Sequence, residues 1–168
     1  MTRRRLFWTA YAAGFIVAAI IAVFAFSMLN KMVPPQVNWQ ALQLTTLEGK
    51  PAALEEYRGK PLLINVWATW CKPCLEEMPS LNRLQERNPN KLTVLTVSDE
   101  ETEKLTNFRA QNPYSFLYLR ATTPLSGQSL TIFPITYLLD KNGDLEAIYL
   151  GPQNWDSEEL QQQVLQAD

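Results

Sequence analysis

PLLINVWATWCKPC, residues 61–74, joins two signals in one short stretch. Pro61 to Ala68 is nearly all apolar, as a strand buried on both faces would be. It runs straight into Cys71-Lys72-Pro73-Cys74. From Cys71 to about Asn88, Leu75, Met78, Leu81 and Leu84 recur at helical spacing, with Glu76, Glu77, Arg83 and Glu86 elsewhere. The two cysteines therefore open a helix. Pro73 suits its first turn, where the missing N–H is no loss, and it stiffens the loop.

That placement has a chemical consequence. A residue at a helix start faces unpaired backbone N–H groups and the positive end of the helix dipole, both of which favour an anion. A thiolate at Cys71 has a pKa below the free value of about 8.5. Lys72 adds a nearby positive charge. One helical turn brings the sulfur of Cys74 within bonding reach. Cys71 can then attack a disulfide, and Cys74 can attack the resulting mixed disulfide and release the product. The reverse sequence oxidises a dithiol. The competing readings are a structural pair and half of a metal site, and the second is weak.

The composition narrows the field. Histidine is absent and the two cysteines are the only ones. This excludes Ser-His-Asp and Cys-His catalysis and a histidine metal site. Leu75 after Cys74 excludes haem attachment of the Cys-x-x-Cys-His kind. One pair is too few for a disulfide scaffold or a structural zinc site. No metal or cofactor is expected.

Working outward, Glu48-Gly49-Lys50-Pro51 is a turn between residues 41–44 and 52–54, an expected N-terminal hairpin. Lys91 to Val97 is a second strand. Glu100 to about Gln111 is a helix, acidic at its start as the dipole favours. Phe116 to Leu119 is a short strand, and Thr122 to Thr131 holds a helical turn or two. Pro134–Leu139 and Leu145–Leu150 are strands joined by Asp140-Lys-Asn-Gly143, a hairpin signal. Asp156 is the expected N-cap of a final amphipathic helix. The order is a hairpin, then β-α-β-α-β, then β-β-α. That predicts an α/β fold, a mixed central sheet with helices on both faces.

Val66-Trp-Ala-Thr-Trp-Cys-Lys-Pro-Cys-Leu-Glu-Glu-Met-Pro79 resembles the thioredoxin-like group of membrane-anchored TlpA, ResA and DsbE (CcmG) proteins. The likeness runs from Leu42 through Gly59-Lys60-Pro61 to the C-terminal helix. It implies a thioredoxin-like fold with Cys71–Cys74 as the redox disulfide, Cys71 attacking and Cys74 resolving. Trp70 matches the tryptophan before the pair, and Pro79 the proline that bends the active-site helix. Pro134, in Ile132-Phe133-Pro134-Ile135-Thr136, matches a cis-proline that lies beside the cysteines and helps hold an extended substrate strand. The stretch Lys91–Leu130 is longer than in plain thioredoxin, as the family's central insertion requires. Two departures stand out. Asn65 replaces thioredoxin's buried aspartate and cannot take a proton from Cys74. Thr131-Ile132-Phe133 stands where the family often has a glycine. Another group or water must take the Cys74 proton; Glu76 and Glu77 are the local acids that could, but both are expected to be solvated surface charges.

Leu6 to Leu29 is uncharged and follows Arg3, Arg4 and Arg5. As a helix it would rise about 36 Å, enough to cross a hydrocarbon core of about 30 Å. The arginines keep that end cytoplasmic. The competing reading is a cleaved signal peptide, for which the run is long. The expected organisation is a basic flank (1–5), a transmembrane anchor (6–29), a linker (30–39) and the thioredoxin-like domain (40–168). Beyond Leu29 the chain holds twelve basic and seventeen acidic residues, a net charge of −5. A mildly acidic domain argues against nucleic acid as a partner.

The expected function is a single-pass inner-membrane protein whose domain faces the periplasm, or another extracytoplasmic space, and reduces protein disulfides. Its resemblance implies an apocytochrome c among possible substrates and electrons from a membrane dithiol carrier of the DsbD type. Two other readings stay open. One is a thiol oxidase or isomerase using the same residues. The other is a module that holds an apoprotein or a soft metal ion without turnover. The threonine and arginine of a peroxidatic cysteine site are not visible.

Overall fold

The computed structural model describes the backbone of residues 3–32 and 37–167, and the side chains of Trp8, of residues 11–27 and of residues 37–167. The chain divides into two compact units, Met1–Pro35 and Gln36–Asp168. The described residues of the first form one helix, α1 (Arg3–Met32). Its described apolar side chains, among them Phe15, Ile20 and Phe24, are exposed. The side chains described without a break are those of residues 11–27. Among the described residues no helix is long and apolar enough to cross a membrane. The expected span over Leu6–Leu29 reaches beyond that run at both ends.

The second unit is built on six strands: β1 (Leu44–Thr46), β2 (Leu62–Val66), β3 (Thr93–Ser98), β4 (Leu117–Ala121), β5 (Ile135–Leu139) and β6 (Leu145–Leu150). Three helices accompany them: α2 (Lys72–Arg87), α3 (Thr102–Gln111) and α4 (Glu158–Leu165). The sheet order is β1-β4-β3-β2-β5-β6. β2 runs parallel to β3 and β3 to β4, while the other pairs are antiparallel. The mixed sheet expected from the element order is present, with β2 near its centre and buried at every position.

The helices do not flank both faces. Met78, Leu81 and Leu84 of α2, Leu105 of α3 and Val164 of α4 share one core with Leu63, Val94 and Leu138. The opposite face carries Leu62, Ile64, Val66, Leu95, Val97 and Tyr137. It is covered by three short 3-10 turns, Trp39–Leu42, Leu54–Tyr57 and Leu125–Gln128, and their flanks. Each turn supplies one or two apolar residues, which suffices for strands whose alternate side chains are already large. Trp39 meets Tyr137 edge-on, with ring centroids 5.2 Å apart. Of the expected linker 30–39, residues 33–36 fall outside the described backbone, Asn30–Met32 continue α1, and Val37 and Trp39 pack on the sheet.

Two local expectations differ as well. The Glu48–Pro51 turn forms, with Thr46 N–H on the Lys50 carbonyl at 2.8 Å. Its return arm, however, makes only an isolated bridge, Thr45 to Pro51, and β1 pairs along its length with β4 instead. Past Pro51 the arm keeps one more bond, Ala52 N–H to the Leu44 carbonyl at 2.9 Å, and then leaves the sheet for the 3-10 turn that starts at Leu54. Asp156 does not cap α4. Ser157 does, accepting Leu160 N–H at 3.4 Å, because the Asp156 carboxylate is taken by Arg83 at 2.6 Å and Arg87 at 3.3 Å from α2. The β5–β6 turn is as expected. Asp140 accepts the N–H groups of Asn142 and Asp144, and Gly143 takes φ +93°, open to glycine at little cost.

Candidate active site

The site forms where β2 gives way to α2. The last sheet bond on this side is Trp67 N–H to the Val97 carbonyl at 3.0 Å. A tight turn follows, closed by Cys71 N–H on the Ala68 carbonyl at 3.1 Å. Cys71 is the N-cap of α2, and its Sγ accepts the N–H of Cys74 at 3.3 Å. Proline in the first turn of α2 is Pro73, as its missing donor allows. Cys71 and Cys74 are joined by a disulfide across a Cα–Cα distance of 5.3 Å. Cys71 retains 5% of its surface and Cys74 none. An incoming thiolate or disulfide therefore meets Cys71 first.

Two further segments converge there. Trp70, 68% exposed, stands on the turn and meets Phe133 edge-on at 5.7 Å. Phe133 precedes Pro134 through a cis peptide bond, and the Pro134 carbonyl accepts Gly151 N–H at 2.9 Å. Trp70, Phe133 and the exposed Ile132 make an apolar margin beside the disulfide. Lys72 points to solvent, with its ammonium 3.8 Å from Glu76. A solvated, paired ammonium adds little to a neighbouring thiolate, so the helix N-terminus carries that task.

Glu77 overturns a sequence expectation. Glu76 is a solvated charge, but Glu77 is only 3% exposed. Its Oε1 accepts the Asn65 side-chain amide at 2.7 Å, and its Oε2 accepts the backbone N–H of Gln153 at 2.9 Å. The same Asn65 amide nitrogen donates to the Thr136 hydroxyl at 2.9 Å. Burial pushes the Glu77 carboxyl up to about 7, against the Gln153 and Asn65 hydrogen bonds, which favour the charged form. The indole of Trp155 also favours the charge, although its Nε1–H does not reach hydrogen-bonding geometry. The sequence held a signal for this. Cys74, Glu77, Met78, Leu81 and Leu84 share the i, i+3, i+4 spacing of the buried stripe, whereas Glu76 is off it.

The model of the AhpC/TSA family matches residues 36–154, most of the chain and nearly all of the second unit. The chain belongs to this family. It is 30% identical over 152 residues to the thioredoxin-like protein YneN of Bacillus subtilis, covering 84% of this chain and 89% of that one. It is 33% identical over 114 residues to the thiol-disulfide oxidoreductase ResA of Bacillus cereus, a match that takes 66% of each chain. Among solved structures, a thiol:disulfide interchange protein DsbE from Chlorobium tepidum superposes with a TM-score of 0.64 at 27% identity, covering 74% of this chain and 90% of that one. StoA from Bacillus subtilis shares the fold, with a TM-score of 0.58 at 20% identity over 71% of this chain and 94% of that one. This member of the family is a thioredoxin-like thiol-disulfide oxidoreductase.

Proposed function

We propose that the protein reduces protein disulfides outside the cytoplasm, held to the membrane by its N-terminal helix. The unequal burial of the two sulfurs carries the assignment of roles. Cys71, at the surface and at the N-cap, attacks a substrate disulfide as thiolate. Its Sγ bonds to one substrate sulfur, and the other leaves as thiolate. Cys74, enclosed behind it, gives its proton to Glu77 and attacks Cys71 Sγ. The Cys71–Cys74 disulfide forms and the second substrate sulfur leaves, so two electrons have passed to the substrate. Glu77 suits the proton step because it lies one turn beyond Cys74 on the same helix face and its pKa is close to 7. It fills the gap left by Asn65.

The apolar margin of Trp70, Ile132 and Phe133 beside cis-Pro134 gives an extended segment of a protein substrate a surface to lie on. An apocytochrome c is one such substrate, and a membrane dithiol carrier of the DsbD type would return the electrons. The anchor is supported by a helix whose described large apolar side chains are exposed and by the three arginines that open it. Reduction of insulin disulfides by the dithiol-charged protein tests the assignment. Cys71→Ser abolishes turnover, and unchanged turnover in that variant would refute it.

A further inference from the structure

Glu100 precedes α3 instead of opening it, and its carboxylate faces the redox turn. Oε2 accepts the backbone N–H of Thr69 at 2.6 Å, and Oε1 accepts the Thr69 hydroxyl at 2.9 Å. Lys104, on the first turn of α3, pairs with the same Oε1. The Glu100 N–H donates to the Ser98 hydroxyl at 3.3 Å, and Arg120 Nε donates to the Glu100 carbonyl at 3.0 Å. The side chain keeps only 11% of its surface. Burial alone would raise its pKa, but Lys104 and the two Thr69 bonds outweigh burial and hold the carboxyl below its ordinary range. The group therefore stays charged at neutral pH, and its bonds to Thr69 are of the strong, charge-assisted kind.

Thr69 is an inner residue of the Ala68–Cys71 turn, two positions before the attacking sulfur. In the oxidised protein this turn is tied to α2 through the disulfide as well. Reduction opens that tie and leaves the Glu100 clasp. We propose that Glu100 is a positioning residue of the redox reaction, clasping Thr69 so that Cys71 stays at the N-cap of α2 once the disulfide is open. Through Lys104, helix α3 then contributes to the site. The proposal rests on the reading of Cys71 as the attacking thiol.

The test is the rate at which the fully reduced, full-length protein in detergent attacks dithiobis(nitrobenzoate), a small disulfide that needs no docking surface. Glu100→Gln is expected to slow the attack by about fivefold or more, the scale of one lost charge-assisted hydrogen bond. Thr69→Val, nearly isosteric and uncharged, slows it by more than about twofold. The double variant is no slower than Glu100→Gln, because the hydroxyl bond that Thr69→Val removes is part of the clasp that Glu100→Gln already breaks. Thr69→Ser, which keeps the hydroxyl and the N–H, restores the wild-type rate. A loss under about twofold in Thr69→Val, or losses that multiply in the double variant, overturns the proposal. The Thr69 variants keep the test standing if Glu100→Gln does not fold. Wild-type protein reacting as slowly as Cys71→Ser would instead remove the role of Cys71, whatever Glu100 does.

Discussion

The side-chain amide of Asn65, on β2, donates to the carboxylate of Glu77, on α2, at 2.7 Å, with both residues closed off from solvent. The pair joins the central strand to the helix that carries the cysteines. It also places the one buried carboxylate of α2 among neutral partners: Asn65, the Gln153 N–H and the Trp155 indole.

A carboxylate held up at about 7, above its ordinary value of 4.5, has a sign that can be read in stability. The folded state binds the proton more tightly than the unfolded chain. The favourable contribution is complete below about pH 4.5 and is lost as pH rises through about 7. The full swing is on the order of 3 kcal/mol. Wild-type protein is therefore expected to lose stability in urea between pH 5 and pH 8, and Glu77→Gln to lack that component. Parallel curves for the two proteins would show that Glu77 does not titrate in this window.

Cys74 has no exposed surface, so its absence should leave the first attack intact and remove the second. Cys74→Ser is expected to accumulate a mixed disulfide between Cys71 and a substrate protein, visible on non-reducing gels and absent in the Cys71→Ser, Cys74→Ser double variant. A trapped species in Cys71→Ser alone would reverse the assigned roles.

The reduction potential of the pair decides the direction of electron flow. With Lys72 exposed and paired to Glu76, little beyond the helix N-terminus favours the thiolate. Equilibration against dithiol buffers is expected to give a value near or below about −250 mV, in the range of thioredoxin. A value near about −120 mV would make the protein a disulfide donor.

Topology is open to a direct check. In the proposed orientation, with Arg3–Arg5 inside, Cys71 and Cys74 would face the extracytoplasmic space. In intact cells with the outer membrane permeabilised, a membrane-impermeant maleimide is expected to label the reduced pair. Labelling that appears only after the inner membrane is lysed would place the domain in the cytoplasm.

Much of the domain was legible because its signals are local. The apolar run of β2, the helical spacing after Cys71, the Asp140–Gly143 turn and the strands on either side of it each depend on residues within a few positions of one another. The buried position of Glu77 was legible too, in its place on the stripe with Met78 and Leu81, yet its charge argued for solvent. The burial cost of that charge is met by Asn65 and Gln153, which stand 12 and 76 residues away along the chain. No local pattern announces partners at such separations.

The sequence by itself determined the chemistry: a lone Cys-x-x-Cys at a helix start, an absence of histidine, and an apolar strand to bury the site's base. Only the tertiary structure decided where the nearby acids lie. It took Glu77 into the core and turned Glu100 from a helix start to a clasp on Thr69, 31 residues back. It also gave β1 to β4 instead of a hairpin partner and gathered all three helices of the domain on one face of the sheet. Those outcomes depend on which distant groups compete for each donor, acceptor and apolar face, and that competition is settled only when the whole chain is packed.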